Sequence, residues 1–171
     1  MSVSSGTPEQ LTRIRREVIV ALRREPMASD PALRAPRQTK VGAPVLVRQP
    51  EGDPAFWLVP LAVRHQAWGF ARVELSERVA QIGCFGSGSH DEASWLEASF
   101  FRRAPPRALA EVRARYGEAA LAKPVLSYDG SPARWGWRLA IARPDGSTVV
   151  YITPGGWYEQ QIRGGPNNDR E

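Results

Sequence analysis

A decamer with the pattern of a strand, PAFWLVPLAV at Pro54 to Val63, returns as PARWGWRLAI at Pro132 to Ile141, with Pro, Ala, Trp, Leu and Ala held in place. A chain that writes one strand twice must give it two related surroundings, and the flanking text agrees. PVL at Pro44 to Leu46 matches PVL at Pro124 to Leu126 at an offset of 80, the decamers match at 78, and GFARVEL (Gly69 to Leu75) matches GSTVVYI (Gly146 to Ile152) at 77. The drop from 80 to 78 predicts that the second copy has lost two loop residues before its long strand. Each copy then reads as a short strand, a long strand, a hairpin and a return strand, with Arg143-Pro144-Asp145-Gly146 supplying turn chemistry. Val79 to Cys84 and Trp157 to Ile162 add a fourth strand to each. Turns this closely spaced predict antiparallel meanders.

A helix precedes each meander. Thr7-Pro8-Glu9-Gln10 offers an N-cap, a proline at the first helical position and a capping-box Gln, and the helix should run to Glu25 before Pro26 stops it. Leu11, Ile14 and Val18 form its apolar stripe; Leu109, Val112 and Tyr116 repeat that spacing after Pro105-Pro106. Ser89-His90-Asp91-Glu92 reads as a further capping box, opening a helix through Trp95, Leu96 and Phe100. The first unit carries instead the Pro/Ala-rich linker Pro26 to Lys40. A helix with one apolar stripe and a sheet with one apolar face cover each other, so the expected class is α+β. The expected organisation is a flexible N-terminus at 1–6, one unit at 7–88, a second at 89–162 and a disordered tail at 163–171.

This order of elements, together with the strand that follows each PVL, resembles cystatin-like and PepSY-like domains in tandem. The resemblance implies one helix across a curled antiparallel sheet of three or four strands in each unit, and a role in binding or restraining a protease or maturation enzyme. The chain departs from true cystatins in lacking their Gln-x-Val-x-Gly hairpin; its nearest text is Gln81-Ile82-Gly83-Cys84-Phe85-Gly86.

Composition excludes several chemistries. Cys84 is the only cysteine, so neither an intramolecular disulfide nor a cysteine-rich zinc site can form. His65 and His90 stand in no ligand pattern, and no metal or cofactor is expected. The glycine-rich passage Gly83 to Ser89 runs into a helix start, where amides could meet an anion, yet it has neither the lysine nor the spacing of a phosphate loop. Cys84 and His90 have no defined geometry as nucleophile and base, and the chain is expected not to be an enzyme. With no apolar run of membrane or signal length, it is expected in the cytoplasm.

What remains is binding. On the first decamer Trp57, Val59, Leu61 and Val63 share one face, but Phe56, Leu58 and Pro60 make the opposite face apolar too. Either the segment around Trp95 to Phe101, or the other unit, covers that face internally, or it receives a partner or a second copy of the chain. In the second copy the same face carries Arg134, Gly136 and Arg138, as on a wet side. The candidate partner contacts are Phe56, Leu58, Pro60 and Phe70 in the first unit and Val149, Tyr151, Trp157 and Tyr158 in the second. Trp and Tyr suit this role because they present large area with few torsions to freeze. The leading expectation is a non-enzymatic protein-protein interaction module. The net charge of +5 keeps a nucleic-acid-associated protein as the alternative, using Arg13, Arg16, Arg23 and Arg24 with Trp68 as a stacking ring. A carrier of small ligands between helix and sheet is a third class.

Overall fold

The computed structural model describes residues 6–24, 35–85, 92–117, 122–129, 131, 134–143 and 146–161. The class is α+β, with two α-helices and ten strands among these residues. The chain divides into two compact units, Met1–Arg103 and Ala104–Glu171. The expected tail, the Ser89-His90-Asp91 part of the second capping box and most of the glycine-rich passage lie outside the described residues.

In the first unit α1 (Pro8–Leu22) begins as its sequence dictates, with the Gln10 amide donating to Thr7 Oγ1 at 3.2 Å. The strands are β1 (Lys40–Val41), β2 (Val45–Arg48), β3 (Pro54–Val63), β4 (Gln66–Glu74), β5 (Val79–Cys84) and β6 (Leu96–Glu97). β2, β3, β4 and β5 lie side by side, β1 adds to β3 and β6 adds to β4. Trp57 pairs with Val73, Val59 with Ala71 and Leu61 with Gly69, so these residues share a face, and Ile14 and Val18 of α1 pack on it. Each fully buried aliphatic side chain of this core contributes about 1.5–3 kcal/mol.

The other face of β3 is buried as well. Phe56, Leu58 and Pro60 are closed off from solvent, and the 3-10 turn Ala98–Phe101 packs against β3. Phe101 lies 6.4 Å from Phe85, which lies 5.7 Å from Phe70, so a chain of rings runs over this side. Internal cover is therefore the outcome, but the covering segment is not the expected helix. Residues 92–94 form one 3-10 turn, 96–97 pair with β4, and 98–101 form another. Leu96 and Glu97 pair with Ala67 and Gln66 on the open edge of β4 beyond the end of β5, and the Ala98 amide donates to His65 C=O at 2.8 Å, so the segment makes sheet contacts in place of an intrahelical ladder.

In the second unit α2 (Pro106–Tyr116) precedes β7 (Val125–Tyr128), β8 (Trp135–Arg143), β9 (Gly146–Thr153) and β10 (Gly156–Gln161), an antiparallel meander with unbroken register. Trp137, Leu139, Ile141, Val150 and Ile152 form its buried face. From α2, Arg115 pairs with Glu159 at 2.8 Å and stands 5.5 Å over the Trp157 ring, while Glu111 accepts from Trp157 Nε1 at 3.3 Å. The opposite face, expected to be wet, is mixed: Arg134 and Ala140 are exposed and Arg138 is half-buried, while Gly136, Val149 and Tyr151 are buried on it.

Two expectations about the repeat are corrected. Neither array is curled: β5 ends the first and β10 ends the second as open strands, and the bulge-free ladders of β7 to β10 lack the kinks that bend a sheet round a helix. Second, the equivalent of Trp57 is Trp137, not Trp135. Trp57 pairs with Leu46 and Val73, and Trp137 pairs with Leu126 and Ile152. The offset of 80 thus holds from the short strand into the long one, and no loop residues are lost there. The textual match had slipped by two, a slip that leaves every side chain on its proper face because strands alternate with period two.

Candidate functional site

The eight residues expected to meet a partner do not form one accessible surface. Phe56, Leu58, Pro60, Val149 and Tyr151 are buried. Phe70 is half-buried against Phe85, and Trp157 is half-buried under Arg115. Tyr158, at 38% exposure, is the most open, yet its ring stacks on Tyr151 at 5.6 Å and its hydroxyl donates to Asp129 Oδ2 at 2.7 Å. Burial, and then the bond to the Asp129 carboxylate, push the Tyr158 hydroxyl well above the ordinary tyrosine range, so it stays neutral and serves as a strut. Trp68 is also buried and donates to Thr39 Oγ1 at 2.8 Å, which removes it as a base-stacking ring. The carrier reading loses its cavity in the first unit, because α1 fills the space over the sheet with Ile14 and Val18.

What the surface of the first unit does offer is a groove of about 540 Å³ between α1 and the strap 35–41. The strap is held at several points. β1 pairs Lys40 with Ala62 and Val41 with Leu61, the Gly42 amide donates to Pro60 C=O at 2.8 Å, and Arg15 donates to Val41 C=O at 3.1 Å. Gly42 permits this approach, since a Cβ there would come within 2.6 Å of the Pro60 ring. The floor is aliphatic, from Ile19, Leu22, Pro36 and the buried Val41, and Ile19 is 36% exposed. Arg15, Arg23, Arg37 and Lys40 line it, and among the described residues no acidic side chain lines it with them and no ion pair engages these four. The groove is hidden in the sequence because one of its banks is the end of the Pro/Ala-rich linker itself, although Arg15, Ile19 and Arg23 at steps of four mark one stripe of α1 and its C-cap.

A second groove of about 600 Å³ lies between α1 and the terminal strand β5, lined with mixed charge from Glu17, Arg24 and Arg78. Nearby, Arg13 grips Glu77 through two bonds of 2.8 and 2.9 Å, tying α1 to the turn after β4. The bond from Arg13 holds the Glu77 carboxyl below its ordinary range, Arg78 does the same for Glu74, and its own backbone amide, followed by the Thr7 side chain, does so for Glu9. Because these groups titrate lower when folded, their contribution is complete above the unfolded value of roughly 4.3 and is lost as pH falls through the folded values. The urea midpoint is therefore expected to decline from pH 7 to pH 3, and Glu77→Gln to make that decline shallower; a midpoint independent of pH over this window would refute the pairing.

No cluster of three metal-ligating side chains forms among the described residues, and none of their helices is long and apolar enough to cross a membrane. Cys84 is half-buried on β5, and His65 is exposed in its turn. Comparison with known proteins gave no match to any protein-family model, curated protein or solved structure.

Proposed function

We propose that this chain is a non-enzymatic protein-protein interaction module that docks its partner in the groove between α1 and the strap 35–41. The observation that carries the reading is the aliphatic floor left open beside a strap that is already fixed in place, so docking need not first order the backbone. The floor presents no convergent polar groups of the kind that orient a small ligand, Thr39 being engaged by Trp68. The doubled helix-and-meander order supports a cystatin-like or PepSY-like relationship, and through it a protease or maturation enzyme as the partner to be restrained or escorted. A nucleic-acid-associated protein is the second reading, favoured by the four cations that line the groove.

Ile19→Asp tests the docking surface. The side chain is partly exposed, so the melting temperature should move little, while a partner co-purified from the native host and then rebound in pure form should lose affinity at least tenfold. Unchanged affinity in the variant would remove the groove from the interface.

A further inference from the structure

We infer that the segment seated in this groove is acidic: a stretch of partner polypeptide with aliphatic side chains on the floor and Asp or Glu flanking them toward both banks. The inference rests on the protein-binding reading and adds the chemistry of the ligand. Cations stand on both sides of the apolar strip, Arg15 and Arg23 on α1 and Arg37 and Lys40 on the strap. The two helix arginines are eight residues apart, about 12 Å along the axis at the α-helical rise, so they can meet carboxylates at two points of a bound segment. Among the described residues no acidic side chain neutralises them. Glu17 stands on the side of α1 that lines the other groove and pairs there with Arg16 at 3.8 Å, and Glu77 is occupied by Arg13. Like charges gathered round one trough repel one another until an anionic group enters, and at physiological salt their reach is about 8 Å, enough to span the bound segment but not the wider surface.

Phosphates would satisfy the charges equally. A nucleic acid, however, would leave the aliphatic floor without a matching surface, and no aromatic ring lines the groove to stack on a base. An acidic-aliphatic polypeptide uses both features, the charges for encounter and register and the apolar floor for residence.

The test is selection from a displayed library of random 16-residue peptides against the full chain, with Arg23→Glu/Arg37→Glu and Ile19→Asp as parallel targets. Arg23 and Arg37 are exposed and make no ion pair among the described residues, so the double variant should melt with the parent. Peptides enriched on the parent should carry two or more Asp or Glu around Leu, Ile or Val. The best of them should bind more than tenfold weaker to the double variant and weaken steeply between 50 and 300 mM salt, on the order of the screening change expected for several contacts. Enrichment of neutral or basic peptides that depend on Ile19 but not on the arginines would overturn the acidic ligand and leave the docking site standing. Peptides that bind all three targets equally, or no enrichment at all, would overturn both. A 20-residue oligonucleotide that binds the parent more tightly than the selected peptide, and is lost in the double variant, would assign the groove to nucleic acid instead.

Discussion

The Val59→Asp chain is expected not to fold. Val59 lies at the middle of β3, fully buried, facing Ile14 and Val18 of α1 with Trp57, Leu61 and Ala71 around it, and no cation lies among these core neighbours. A carboxylate placed there forfeits the burial of the valine, about 1.5–3 kcal/mol, and adds a desolvation penalty of several kcal/mol for an unpaired charge. Together these approach or exceed the roughly 5–15 kcal/mol that hold a domain folded. The far-ultraviolet circular dichroism should show no cooperative transition. Leu58→Asp makes the informative contrast. Leu58 is equally buried but points to the opposite face and pairs across the ladder with Arg72, whose Nε is buried without a partner. A carboxylate on that side has a cation within reach, so Leu58→Asp should retain a transition, at a much lower temperature than the parent. If both variants melted like the parent, β3 would not be the central strand of a two-sided core.

That two-sided burial shows where the sequence was legible and where it stopped being so. The order of helix and meander followed from local signals. The Thr7 cap, the Pro105-Pro106 start, the apolar run of β3, the alternation along β8 and the close turn spacing are all written in neighbouring residues, and the elements form where these place them. Register depends on partners far away in the chain. The decamers carry a Trp at both Trp135 and Trp137, and identity of letters favoured the first, while the pairing of Leu126 with Trp137 chose the second. The face assignments survived because the error was an even number of residues. Cover for the Phe56, Leu58 and Pro60 face came from Phe101 in a segment with the capping pattern of a helix, since a free strand edge competes for the same amides and no local pattern reports that edge. The groove was illegible for a similar reason. Its charges are scattered between α1 and residues 35–41, and only the pairing of β1 with β3 brings the two banks together.

Burial of Trp68, a stacking ring in the nucleic-acid alternative, bears on both the fold and the proposed site. Leu61 pairs with Gly69 and Ala62 with Ala67, so Trp68 is the extra residue of a β-bulge, turned into the core with Gly69 beside it and Thr39 above its indole nitrogen. The second unit has no such residue: Ile141 pairs with Thr148 and Ala142 with Ser147 without a shift, which is why the structural offset drops from 80 in the long strand to 79 in the return strand. Trp68→Ala is expected to cost about 3–5 kcal/mol, because a large ring leaves a cavity the flanking ladder cannot collapse into. The urea midpoint measures this loss. Trp68→Phe keeps most of the packing and deletes the bond to Thr39, worth about 1 kcal/mol. Since Thr39 belongs to the strap that walls the groove, Trp68→Phe should also speed amide exchange through residues 39–41 and weaken capture of the acidic segment, with the remainder of the first unit unchanged. A Trp68→Ala chain as stable as the parent would mean that the ring is not part of the core, and the strap would then lose the anchor on which the docking surface depends.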